Sequence, residues 1–247
     1  MSTATLVYIH VPDDPNHVIM AQEFWASYKN FPPGVDHDTV IICQHSEPSP
    51  GMREMFEEFA NAKFYIHDDK GWDIGGYIAL AKSGLVKTDF MICCGGSTTV
   101  RREGWMKRMV ESWDKYGEGF YGSLSSYQIR PHFNTNGFWT SPRILAEYPF
   151  PINTHADRYG FEHGPDACWI RVHESGLPAK LVTWDGEYDW PEWRSPNNIS
   201  CRGDQSACLM FFRINYQYEL YQKHDPGALN NLMYLTDAHL LDDKFKR

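Results

Sequence analysis

Residues 64–102 read FYIHDDKGWDIGGYIALAKSGLVKTDFMICCGGSTTVRR. This stretch alternates the two backbone periods of an α/β fold. Residues 63–67 form a short β-rich run, and residues 68–73 supply turn chemistry around Gly71. Gly75 and Gly76 open a helix that runs through Ser83. Residues 89–94 are a compact strand core, and Gly95-Gly96-Ser97 stops it abruptly. In open α/β sheets a ligand sits beyond the carboxyl ends of the strands. The small residues 95–97 are therefore the first place to look for a site. An ordinary strand–helix–strand unit with no site reads the same way, since fold does not dictate function.

The pattern continues outward. Residues 5–11 and 38–44 are apolar strands, and residues 18–31 carry Ile19, Phe24, Trp25 and Tyr28 at helical spacing. Asn16 is a plausible cap for that helix. Residues 52–62 and 103–115 read as helices, 119–124 and 131–140 as strands, and 141–148 as a short helix. An irregular loop follows at 148–159, then a helix within 161–175 and a strand at 179–184. Residues 187–202 are rich in Trp, Pro and Asn and suggest a loop over the site. Residues 204–223 and 226–241 read as terminal helices. Strands alternating with helices imply a mixed, mostly parallel sheet with helices on both faces.

With 247 residues the chain fits one domain with a large core. We divide it into a first half at 1–125, a second at 126–203 and C-terminal helices at 204–247. The net charge of −9 argues against a nonspecific nucleic-acid surface, which needs clustered Lys and Arg. Six cysteines occur with no C-x-x-C pair, so a zinc ribbon is not expected. Buried thiols in a reducing cytoplasm are the plain reading. No run approaches the length of a membrane span.

Two segments carry a family resemblance. KGWDIGGYIAL at 70–80 is similar to the GRDIGPYL-type segment of rhamnan-synthesis-like proteins. PHFNTNGFWTSPRIL at 131–145 resembles their PHLQTNFFAFSREAL-type segment. The resemblance covers roughly residues 60–190 and points to a GT-A glycosyltransferase with a Rossmann-like sheet. It implies a nucleotide-binding first half and a sugar- and acceptor-binding second half. In that family the central strand ends in an Asp-x-Asp that holds a divalent metal. Here the position is filled by Gly95, Gly96 and Ser97, which offer no carboxylate pair. Donor binding without a metal, using basic side chains and backbone N–H groups, is the expectation.

The candidate site residues follow. Asp73 would meet a nucleobase or ribose edge, although an Asp at a helix start is also a cap. Gly75 and Gly76 would allow close backbone approach. Ser97, Arg101 and Arg102 suit phosphate, although arginines in a surface loop are often merely solvated. His132, Asn134 and Asn136 alternate along the expected strand 131–140 and would share one face. Glu162 and Asp166 precede the expected helix in YGFEHGPDACWIRVHESG, residues 159–176. That segment resembles the Glu-Asp motif of inverting GT-A enzymes, stretched by insertion. The resemblance implies Asp166 as general base, with Glu162 second. Acids at a helix N-terminus are also favoured by the helix dipole alone. Trp184 and Asp185 would form an acceptor wall. His155, Asp157, His163 and His173 match no standard ligand spacing, so no metal site is expected.

The reading is a nucleotide-sugar-dependent glycosyltransferase, inverting, with no cofactor beyond the donor. The acceptor would be a glycan, lipid-linked or nucleobase-linked hydroxyl. A GT-A-like binding module without catalysis is the first rival. A nucleotidyltransferase ranks third, because the loop VPDDPNH after the first strand is acidic and lacks glycine.

Overall fold

Seven consecutive buried residues, Ala4–His10, make β1 the backbone of the sheet. Continuous apolar runs of this kind mark parallel strands covered on both faces. β2 (Asp38–Gln44), β3 (Ala62–His67) and β4 (Phe90–Cys94) are its parallel companions. Leu6 of β1 lies opposite Thr39 on one side and Ile92 on the other. The computed structural model describes residues 1–68, 70–126, 130–190, 192–194 and 204–224. The expected helix at 226–241 lies outside them.

The remaining strands of the main sheet are β5 (Phe120–Gly122), β8 (Gly137–Thr140), β9 (Ala179–Val182) and β10 (Glu187–Asp189). The order is β10-β9-β5-β8-β4-β1-β2-β3, with β8 and β10 antiparallel to their neighbours. β6 (Ser125–Ser126) and β7 (His132–Phe133) form a separate two-stranded ladder. The chain steps from β1 to β2 and β3 on one side, then places β4 on the other side of β1. That reversal is a topological switch point.

The connecting helices obey their sequences. α1 (Pro15–Asn30) has Pro at its first turn and Asp14, not Asn16, as cap, with the Asp14 carboxylate accepting from the Asn16 N–H. α2 spans Pro50–Glu57. α3 (Trp72–Ser83) starts earlier than its two glycines suggest and buries Ile74 through Ile78. It packs against α5 (Pro142–Ala146) and α6 (His155–His163). α4 (Trp105–Tyr116) buries Trp105, Met109 and Trp113 along one stripe, as an amphipathic helix should. α7 spans Cys168–Glu174 and α8 spans Arg213–His224.

Two further expectations need correction. Residues 131–140 are not one strand. The Asn134 side-chain carbonyl accepts from both the backbone N–H and the side-chain amide of Asn136, each at 3.0 Å. This local closure competes with the ladder and turns the chain between β7 and β8. Residues 148–159 are not all loop, because α6 begins at His155. Thr154 accepts from the Asp157 N–H while the Asp157 carboxylate accepts from the Thr154 N–H, a capping box. Gly164 and Pro165 then break the chain before α7. Glu162 therefore ends one helix and Asp166 sits in the connector, so the two do not share a helical face.

Cys43, Cys93, Cys94, Cys168 and Cys208 are buried and form no disulfide among the described residues. Burial pushes the Cys43 and Cys168 thiols up to about 12, which keeps them unreactive. Among the described residues no helix is long and apolar enough to cross a membrane.

Candidate donor-binding cleft

A cleft of about 390 Å³ opens at the carboxyl ends of β1, β2 and β4, against the switch point. Ile9 and Val11 from the end of β1, Gln44 from β2 and Gly95, Gly96 and Ser97 after β4 form its sheet side. Its size falls within the range of small-molecule sites.

The Gly95-Gly96-Ser97 stop is set by packing. A Cβ on Gly95 would lie 2.2 Å from the Asn136 side-chain oxygen, and one on Gly96 would lie 2.7 Å from the His17 ring. The Gly95 N–H donates to the Asn136 carbonyl at 3.0 Å, and the Thr98 hydroxyl donates to the same carbonyl at 2.8 Å. The Tyr8 hydroxyl fixes the Gly96 carbonyl at 2.8 Å. These bonds bring Asn136, from the turn that enters β8, to the lip of the cleft.

The opposite contributions come from α3 and α6. Asp73 and Trp72 open α3, and His155 and Arg158 stand three apart on α6. Arg158 holds Asp73 in a two-point ion pair whose side chains are 21% and 13% exposed. Burial pushes the Asp73 carboxyl up, opposed by Arg158. Trp72 adopts a φ of 53°, which few non-glycine residues do, and its ring meets His155 edge-on at 5.2 Å. Arg213, the first residue of α8, adds a second guanidinium to the cleft. His10, between Ile9 and Val11 in sequence, is fully buried, and burial pushes its imidazole down to about 4.

The cleft thus gathers Asp73, Gly95, Gly96, Ser97 and Asn136 from the sequence candidates. Gly75 and Gly76 lie outside it. A Cβ on Gly75 would strike the Lys70 carbonyl at 1.8 Å, and Gly76 faces Ile9 and Ile42. Both glycines serve the packing of α3. Arg101 and Arg102 also point elsewhere. Thr99 and Phe211 exchange two backbone hydrogen bonds of 2.8 Å and draw the chain toward α8. Arg101 then stacks on Phe211 and Tyr216 and pairs with Glu219. Arg102 stacks on Trp184 in a separate hollow. Asp185 lies in the turn between β9 and β10, where its N–H donates to the Thr183 hydroxyl.

The second-half candidates also separate. Glu162 is buried, and its Oε1 accepts from the Thr135 N–H and hydroxyl at 3.2 and 3.1 Å. Asp166 is 56% exposed and 3.9 Å from Arg171. It lines another hollow with Tyr148, Phe150 and Gly160, on the face of α6 turned away from His155 and Arg158. His132 sits in the small ladder, facing His163. Asn134 holds the turn that presents Asn136.

Sequence reasoning missed Arg158, Arg213 and His155 as cleft residues. The Thr154-x-x-Asp157 capping signal could have placed α6, and with it His155 and Arg158. Nothing local marks Arg213. At the end of β4 no carboxylate pair is present, and the cleft's one carboxylate among its described lining residues, Asp73, is engaged by Arg158. These residues do not fit the divalent ion of an Asp-x-Asp site.

Comparison of the sequence finds no match among protein-family profiles or curated proteins. Comparison of the structure finds partial likenesses. One is the mannosyltransferase PcManGT from Pyrobaculum calidifontis in complex with GDP-Man and Mn²⁺, at 9% identity and a TM-score of 0.48. That match covers 64% of this chain and 50% of the other. Another is S. aureus TarS 1-349 in complex with UDP, at 11% identity and a TM-score of 0.45, covering 63% and 53%. HddC from Yersinia pseudotuberculosis aligns at 13% identity and a TM-score of 0.43, covering 61% and 81%. The chain thus matches about half the length of PcManGT and of TarS 1-349.

Proposed function

We propose that the chain is a glycosyltransferase, with the donor nucleotide-sugar in the switch-point cleft. The observation that supports this is the meeting of Gly95-Gly96-Ser97 with Arg158 and Arg213 in one cleft at the carboxyl edge of the sheet. Guanidiniums match phosphate oxygens in charge and geometry, and the small residues 95–97 leave room beside them. Asn136 and Asp73 add polar contacts for the sugar and ribose. Trp72, 42% exposed at the rim, offers a face for a base or sugar ring.

The transfer is an in-line displacement. The acceptor oxygen bonds to the anomeric carbon while the bond to the diphosphate oxygen breaks. The electron pair leaves with the diphosphate, beside Arg158 and Arg213, and the acceptor proton passes to a base. His155 fills that role in this reading, because it is the exposed proton acceptor on the cleft rim. Asp166 would serve only an acceptor entering the hollow behind α6.

Calorimetric titration with UDP-, GDP- and dTDP-sugars, in EDTA and in Mn²⁺, tests the reading. One donor should bind with similar affinity in both conditions. Absence of binding by every donor in both would overturn it. Binding without transfer or donor hydrolysis would reduce the protein to a sugar-nucleotide-binding module.

A further inference from the structure

Away from the sheet edge, His132, Glu162 and His163 converge. One ligand atom from each lies within 4.8 Å of the others. We infer that these three side chains form a site for a divalent transition metal, zinc by the chemistry of the donors. Two imidazoles and one carboxylate are a common zinc ligand set, leaving a fourth position for water.

The orientation of each donor supports this. His132 Nδ1 lies 2.8 Å from the Arg130 carbonyl. A carbonyl can only accept, so Nδ1 carries the proton and Nε2 presents its lone pair. Metal-binding histidines are oriented in this way by a second partner. Glu162 is fixed likewise: Thr135 holds Oε1 twice, leaving Oε2 turned to His163 at 3.4 Å. The His163 side chain is nine-tenths buried, and Nε2 is the ring nitrogen it turns to Glu162. The two imidazole rings stand edge to face, with centroids 4.2 Å apart.

The site joins β7 to the last turn of α6. Its neighbours are cleft residues: Thr135 precedes Asn136, and Glu162 lies one turn beyond Arg158. A metal here would position the cleft walls without touching the donor. The inference stands on these ligands alone and is independent of the sugar-transfer reading.

The test is titration of the full chain, stripped with chelator, with Zn²⁺ and separately with Co²⁺. One equivalent of Zn²⁺ should bind and raise the unfolding temperature, and Co²⁺ should give the visible bands of a low-coordinate site. His163→Gln and His132→Gln should each weaken Zn²⁺ binding more than about 100-fold, and Thr135→Val about 10- to 100-fold through Glu162. Circular dichroism of each variant identifies any that fail to fold, and Thr135→Val keeps all three ligands. No saturable binding to the folded chain would overturn the inference. So would binding unchanged in the folded histidine variants. Donor titration of the metal-free protein reports on the cleft separately.

Discussion

Arg158 on α6 closes on Asp73 at the start of α3, with Nε 2.7 Å from Oδ1 and Nη2 3.2 Å from Oδ2. The pair joins residues 85 positions apart and ties the two helices that border the cleft. It also spends one of the two cleft cations on a protein carboxylate. The guanidinium can still offer a ligand its remaining N–H groups.

Breaking this pair should be costly. Arg158→Met leaves a mostly buried carboxylate without its cation, at about 3–5 kcal/mol. The double variant Arg158→Met, Asp73→Asn should recover at least half of that loss in urea unfolding. Simple additivity of the two single losses would show the residues are uncoupled. Donor affinity should fall in every case.

Gly95→Ala should lower both stability and donor affinity. The added methyl meets an Asn136 side chain already tied to Asn134, so relief by rotation costs a hydrogen bond. Overpacking of this kind costs about 1–3 kcal/mol. Gly51→Ala in α2 is the control, since a Cβ there meets nothing within 4 Å. It should stabilise by about 0.4–1 kcal/mol. Equal melting temperatures for the two variants would contradict the packing account.

His155→Gln should reduce turnover about 10²- to 10⁴-fold, the usual worth of general-base assistance. Donor affinity should change little, since the base acts in the transition state. Asp166→Asn should leave turnover within a few-fold of the parent. The reverse result would move the acceptor to the hollow behind α6 and restore Asp166 as base.

Glu187 should govern acid stability. Burial alone would raise its carboxyl, but Lys115, Arg108 and Tyr116 donate to it and hold it at about 2. A depressed carboxyl stabilises the fold above its unfolded value of about 4.3, and loses that effect as pH falls toward 2. Urea midpoints measured from pH 6 to pH 2.5 should fall more steeply for the parent than for Glu187→Gln. At pH 6 the variant should be less stable by about 2 kcal/mol.

The sheet was readable because its strands are short apolar runs bounded by Gly, Pro and Asp. Residues 5–11, 38–44 and 89–94 lie within two residues of their observed ends. The switch-point cleft followed from that pattern alone. What the pattern hides is set by side-chain contacts, remote in sequence for the arginines and local for Asn134. Arg101 and Arg102 look like phosphate ligands until the Thr99–Phe211 bridge turns them to α8. Asn134 looks like a strand residue until its side chain closes on Asn136. Arg213 has no local signature, since its place depends on where α8 docks.

The reversed strand β8 lies between β4 and β5, hydrogen-bonded to both. Before residues 137–140 join, Phe-Met-Ile-Cys-Cys of β4 is the rim of a growing sheet, with no charge to discourage a stray partner. A nascent or truncated chain ending before Gly137 would therefore present an adhesive border. The strand whose entry turn brings Asn136 to the cleft also covers that border, so one element both completes the cleft and shields the sheet.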